Sequence, residues 1–351
     1  MSEKKPRQRT NRGRNATAVA IVESRPEVQW RGGVHILGTP IWCDAWHTRE
    51  VCFVSSAAVA EAHRHRQIIA TSDTVALLPR PTGRKRSQST LTPPYARPFS
   101  LGELRVELYP SGFMRGAASL VVDVKGERIA YAGAIAPATR QADWQGQVRP
   151  CDVLVIDASH ADPRFRFPPP QVVAAQLDAF VDATLAEGAT PVLLVPPFTL
   201  AMTLVERLGA RHPIVASRPI AEAATRLRQL VPTLPSVRRL SGAPRPGELV
   251  LWPIAQRDAK GLSLVARPRF ALVDASAVDV TSVVRARADV AFAWSDRAGH
   301  DDLVDYARQC GARAVYAVGG GDDVADALAP LVAQGVRVEP VGPPAQLALS
   351  L

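Results

Sequence analysis

Glu61, His63 and His65 fall within a single five-residue stretch, and Cys43, Asp44 and His47 lie shortly upstream. Zinc accepts any mixture of imidazole nitrogen, thiolate sulfur and carboxylate oxygen. This neighbourhood, joined by Asp157 from further along the chain, is therefore one way to assemble a metal site. The spacing argues against it. Side chains two apart share a face only in a strand, and Arg64 and Arg66 flank both histidines, so a basic surface helix accounts better for the segment. Gly319-Gly320-Gly321-Asp322-Asp323 follows a strand-like run and opens a helix, so its amides could hold an anion. It lacks dinucleotide-fingerprint spacing, and a plain glycine-rich turn is preferred. No G-x-S-x-G elbow occurs, and no Ser/His/Asp set can be assembled from the sequence.

Charge is the second signal. The net charge is +9 over 351 residues, and much of it sits in two places. Lys4, Lys5, Arg7, Arg9, Arg12 and Arg14 face only Glu3 in the first 14 residues, while Arg80, Arg84, Lys85, Arg86 and Arg97 have no acid among them. The competing reading is a pair of solvated, solubilising segments. Concentration of the charge favours arms that contact phosphates, with affinity that falls steeply with salt. Tyr95 is the only aromatic residue in either segment, so base stacking is not indicated. No apolar run approaches the roughly 18 residues of a membrane span. The cationic N-terminus has no apolar stretch behind it, so a secretory signal is not expected. The four cysteines lack C-x-x-C spacing, which suits a reducing cytoplasm.

The elements that must position these residues read as follows. Residues 1–16 lack hydrophobic periodicity and are expected to be disordered. Strands are expected at Thr17–Val22, Val34–Trp42, Val51–Val54 and Gln67–Ala70, with a short helix over Ala57–His65. The proline- and glycine-punctuated Arg80–Ala96 segment reads as a loop. A meander follows at Leu104–Leu108, Ser119–Val124 and Arg128–Tyr131, with Lys125-Gly126 as a hairpin turn, and then a wholly apolar strand at Val153–Ile156. After Pro168-Pro169-Pro170 the pattern changes. Helices near 170–187, 200–208 and 220–230 alternate with strands at Pro191–Val195 and Ile214–Ala216, which predicts a small parallel α/β unit. Buried strands at Ala271–Val273, Val290–Trp294 and Ala314–Val318, and helices over Asp301–Cys310 and Asp322–Gln334, complete the chain.

Several segments together resemble a known family. Phe53-Val54-Ser55-Ser56-Ala57-Ala58-Val59-Ala60-Glu61 is similar to the F-V-S-H-A-H-A-D-H junction of metallo-β-lactamase-fold hydrolases. Pro110-Ser111-Gly112-Phe113-Met114-Arg115-Gly116-Ala117-Ala118 is similar to P-A-G-H-x-x-G-S/A-A, and Ile129-Ala130-Tyr131-Ala132-Gly133-Ala134 to V-x-Y-S-G-D. Val155-Ile156-Asp157-Ala158-Ser159-His160 resembles the acid-bearing stretch of the β-CASP nuclease branch. Phe292 to Ala298 resembles F-x-x-S-D-H-A-D, and Ala314 to Gly320 resembles K-V-x-x-V-H-G. Order and spacing fit the short bacterial nucleases associated with DNA ligase and with RNA 3′-end processing. The resemblance implies an α/β fold, an αββα metallo-β-lactamase sandwich with an inserted small α/β β-CASP-like cap. It divides the chain into a tail (1–16), a first half-sandwich (17–167), the cap (168–265) and a second half-sandwich (266–351).

The resemblance also implies a two-metal zinc or manganese centre, which needs nitrogen and oxygen donors around a shared water. This sequence departs at nearly every such position. Ser56, Ala58, Ala60, Glu61, Phe113, Ala134, Arg297 and Gly319 replace the family's ligands, and Asp157 alone keeps an acid. Arg297 would oppose cation binding there, and could clamp a phosphate or pair with Asp157 or Glu61. The expected function is that of a catalytically empty, cytoplasmic relative that binds nucleic acid in DNA repair or RNA processing beside an active nuclease, ligase or helicase. The tail, Arg84–Arg86 and Arg297 are its expected contacts. Two alternatives are a metal-dependent hydrolase re-sited on His63, His65, Asp157 and Glu61, and a protein-interaction scaffold that does not touch nucleic acid.

Overall fold

The computed structural model describes residues 27–59, 62–79, 88–136 and 144–343, with only the backbone of His63. The basic tail, the Thr17–Val22 strand, Ala60, Glu61 and Arg84–Arg86 lie outside the described residues.

The first sheet consists of short strands β1 (Val28–Trp30), β2 (Val34–Ile36), β3 (Ile41–Cys43), β4 (Val51–Phe53), β5 (Gln67–Ile69) and β6 (Ser89–Leu91), paired in that order. Pairing is antiparallel from β1 to β3 and parallel from β3 to β6. The run expected as one strand over Val34–Trp42 is two, because Gly38 takes φ +81° and turns the chain. Helix α1 (Ser72–Leu77) follows β5, capped by the Thr71 hydroxyl accepting the Thr74 amide. Of the helix expected over Ala57–His65, only a single 3₁₀ turn at Ala62–Arg64 forms.

The second sheet begins with β7 (Phe99–Leu101), β8 (Leu104–Pro110), β9 (Ala118–Val124), β10 (Glu127–Gly133) and β11 (Val153–Asp157). Lys125 and Gly126 both lie in the left-handed region, at φ +51° and +88°, the conformation that suits a two-residue hairpin loop. β11 is apolar from Val153 to Ile156 because both its faces are covered there. Val153 and Val155 pack with Phe53, Leu108 and Leu120 in a core shared with the first sheet, while Leu154 and Ile156 face a second core.

Helix α2 (Pro170–Ala186) opens the next unit with Pro170 in its first turn, where a missing N–H costs nothing. Val173, Leu177 and Val181 form its buried stripe, and Gly188 at φ +66° turns the chain out. β12 (Thr190–Val195), α3 (Thr199–Leu208), β13 (Ile214–Ala216), α4 (Arg218–Leu230), β14 (Val237–Arg239), β15 (Leu249–Pro253), β16 (Pro268–Asp274), α5 (Val280–Ala286) and β17 (Val290–Ala293) complete it. All its strands are parallel, in the order β14-β13-β15-β12-β16-β17. Leu193 and Val195 point to the α2–α4 side, Val192 and Leu194 to the other. The unit therefore runs past the boundary expected at residue 265, through β17. A buried apolar strand carries no local mark of which parallel sheet it will join, so Ala271–Val273 and Val290–Trp294 could not be assigned from sequence.

Helix α6 (His300–Cys310), β18 (Ala314–Val318), α7 (Val324–Ala327), α8 (Ala329–Val332) and β19 (Arg337–Val341) return to the second sheet, whose order is β19-β18-β11-β10-β9-β8-β7. The helix expected over Asp322–Gln334 is two short pieces, because Pro330 occupies the first turn of the second. Leu303 and Val304 of α6, with Leu328 and Leu331, cover the outer face of β11. No helix among the described residues is long and apolar enough to cross a membrane.

Candidate functional site

In parallel α/β sheets, ligands bind at the carboxyl ends of the strands. Here the carboxyl ends of β12, β16 and β17 converge with Ala57, Phe113 and the segment after β11 around a cleft of about 490 Å³. Each strand is carried to the rim by its buried apolar run, and the residue that follows it supplies the chemistry: Ser159 and His160 after β11, Thr199 after β12, Ser276 after β16, and Ser295 to Arg297 after β17.

Arg297 organises the centre. Its Nη1 lies 2.5 Å from Oδ2 of Asp157, its Nε lies 3.7 Å from Oδ1 of Asp296, and its guanidinium sits 5.1 Å from the centroid of the Phe113 ring. Asp157 accepts two further hydrogen bonds on Oδ1, from Ser159 N at 2.9 Å and Ser159 Oγ at 2.5 Å. Ser295 Oγ accepts from the Arg297 amide and lies 3.3 Å from Nδ1 of His160. Burial, and then Arg297, lower the His160 pKa, favouring a neutral ring.

Asp296 is largely buried, and the Thr199 hydroxyl donates to it. Burial pushes its pKa up to about 6, against the pull of Arg297. The unfolded chain releases this proton near pH 3.8, while the folded chain holds it to about 6. Stability is therefore lost as pH rises through that window, and the full cost is present at neutral pH. Asp296→Asn is expected to stabilise the protein by about 1–3 kcal/mol at pH 7.5 and by almost nothing near pH 4. Thermal denaturation at the two pH values checks this, and an equal effect at both would exclude the mechanism.

Next to this centre lies an apolar seam. Ala57, Leu77, Phe113, Met114 and Ala117 form a buried apolar cluster, and Ala134, Phe198, Leu227 and Leu230 pack on it. The last three come from the parallel unit, and Arg226 of α4 adds a 3.0 Å hydrogen bond from Nε to the Leu77 carbonyl. Of the positions expected to replace metal ligands, Phe113 and Ala134 enter this seam, while Phe113 and Ala58 also reach the cleft. Arg297 and Asp157 pair. Gly319, at φ +77°, lies against Ser159, whose Oγ would be 3.0 Å from a Cβ placed there. Ser56 is buried with its carbonyl accepting from Val59 N. His65 is buried and its Nδ1 accepts from the Arg49 amide at 3.2 Å, bracing β4 against β5.

Among the described residues, no group of three or more His, Cys, Asp or Glu side chains is arranged to hold a metal. The donor set does not suit a two-cation centre: Asp157 is spent on Arg297, and phenyl and methyl groups fill neighbouring positions.

The sequence reading overlooked Asp44 as a structural tether. Left-handed at φ +46°, Asp44 accepts from Ser55 N (2.8 Å), Ser55 Oγ (2.6 Å) and Tyr131 Oη (2.9 Å), anchoring the Ser55–Val59 loop to both sheets. Burial pushes its pKa up against those hydrogen bonds. An acid immediately after a buried strand, facing a small polar loop, was the available signal.

The molecule is thus a mixed α/β protein in which two facing sheets and a separate parallel sheet meet at a polar cleft. A crystal structure of a protein of unknown function from Enterococcus faecalis V583 shares this fold, with TM-score 0.51 and 14% identity over 78% of this chain and 75% of that one. No family model matches the chain. In sequence it is similar to a protein named "Probable DNA ligase" from Opitutus terrae, 24% identical over 284 residues and 80% of this chain. The chain spans 28% of that protein's length.

Proposed function

We propose that this chain acts in DNA metabolism as a non-catalytic nucleic-acid-binding protein, a relative of the β-CASP metallo-β-lactamase nucleases whose metal centre has become an arginine-clamped seam. The observation that carries this reading is Arg297 held between Asp157 and the Phe113 face. A guanidinium stays charged at any physiological pH, so it neutralises the remaining acid and repels an incoming cation. The likeness to a protein named as a DNA ligase supports DNA over RNA, and a DNA ligase as the working partner. The net charge of +9 supports a polyanionic target.

The test is fluorescence anisotropy with labelled DNA between 50 and 200 mM salt. If about six phosphates are contacted, affinity falls about 10³-fold across that range. Deleting residues 1–16 is expected to weaken binding at low salt and to flatten the salt dependence. Salt-independent binding, or no binding at 50 mM salt, would overturn the reading.

A further inference from the structure

The carboxyl edge of the third sheet is divided by charge. Over the cleft, β16 ends in Asp274 and Asp296 follows β17, whereas beyond it β13 leads into Arg218 and β14 ends in Arg239. Residues 207–248 contain eight arginines, no lysine and two acids, Glu222 and Glu248. These arginines are spread over α3, α4, β14 and the segments that follow α3 and β14, and escape any search for basic runs.

Several are committed. Arg207 and Arg211 pair with Asp178 and Asp182 of α2, Arg218 with Glu222, and Arg238 with Glu248, while Arg226 bonds the Leu77 carbonyl. Arg228, Arg239 and Arg245 are exposed, and Arg245 meets Glu248 through its backbone amide, leaving its guanidinium turned to solvent with those of Arg228 and Arg239. The positive field of this corner is felt by Glu222, whose pKa is lowered first by Arg218 and further by Arg226 and Arg239. Between α4 and the start of β14 runs a groove of about 370 Å³, its floor formed by Ala224, Pro232, Pro235 and Val237 and its polar donors supplied by Arg228, Gln229 and Ser236.

Resting on the nucleic-acid reading above, we propose that the α4–β14 corner, rather than the cleft, is the main contact surface for a DNA phosphodiester backbone. From Arg218 to Arg228 the helix rises about 15 Å, enough to follow several phosphates of one strand. Phosphate recognition needs charge and polar donors alone, whereas a protein interface needs an apolar or aromatic anchor. None of the exposed large hydrophobic side chains, Trp46, Val172, Leu264, Val280, Val284 and Val332, lies between residues 207 and 248. The cleft is a poorer phosphate site, since its one guanidinium already serves Asp157 and Asp296.

The experiment is anisotropy of a labelled single-stranded DNA 20-mer against the full chain, titrated with salt. The variants are R228S/R239S/R245S and a charge-matched control, R105S/K125S/R285S. The first is expected to lose at least ten-fold in affinity at 50 mM salt, with the log–log salt slope reduced by about 2. The control should change affinity less than three-fold. Equal losses in the two variants would overturn the proposed surface while leaving DNA binding by the chain intact. A wild-type chain that does not bind DNA would remove both. If polyglutamate binds the wild type more tightly than DNA at matched charge, and the first variant abolishes this, the surface belongs to an acidic protein and the proposal fails.

Discussion

Phe113→Ala is expected to destabilise the protein by about 3–5 kcal/mol, the usual cost of truncating a buried phenylalanine. Phe113 lies at the centre of the seam, 7% exposed, with residues of both structural units packed on its cluster and the Arg297 guanidinium over its ring. Removing it opens a cavity where Phe198 and Leu227 meet Met114 and Ala134, and also removes the cation–π contact. Phe113→Leu, which keeps most of the volume, is expected to cost under about 1.5 kcal/mol. Leu227→Ala draws on the same cluster, so the double variant with Phe113→Ala should lose less than the two single losses combined. Denaturant unfolding measures all of these. A loss below about 1 kcal/mol for Phe113→Ala would mean that the ring is not a packed plug between the units.

Glu27→Gln is the second large effect. Burial alone would raise the Glu27 pKa, but hydrogen bonds from Tyr316 at 2.6 Å, Arg313 at 2.9 Å and Arg337 at 2.7 Å prevail and hold it at about 2. In the unfolded chain the group titrates near 4.5. Because the folded value is depressed, its contribution is fully present above pH 4.5 and is lost as pH falls towards 2. The shift corresponds to about 3 kcal/mol at most, reduced by the water that screens Arg313, whose side chain is 47% exposed. At pH 7 the variant should be less stable by about that amount. The gap should close progressively below pH 4.5, as read from paired unfolding curves. A gap that is unchanged at pH 3 would assign the loss to packing rather than to charge.

These two sites show where sequence reading succeeds and where it stops. The 3.6-residue period located α2, α3 and α6, which bury one stripe each, and short continuous apolar runs located β11, β13 and β18, which are buried on both faces. Three-residue strands such as β1, β6, β7 and β14 carry too few residues for a period, and β19 is only partly buried. Phe113, Asp157 and Arg297 were singled out because each stands in a recognisable local motif, and the fold brings all three together. Glu27 was not singled out, because its partners lie nearly 300 residues away and ion pairs across such separations leave no local trace. The same holds for Asp44, which ties Ser55 to Tyr131, and for the arginines of α4 and β14, which become a patch only once a helix and a strand lie side by side.

On the proposed reading the Arg297 guanidinium stands where a divalent centre would be needed, and metal content is the decisive readout. The full chain, incubated with excess zinc and manganese, freed of unbound ion and analysed by inductively coupled plasma mass spectrometry, is expected to retain well below one equivalent of either. Retention of one or two equivalents that a chelator removes, with manganese-dependent DNA cleavage in the loaded protein, would contradict it.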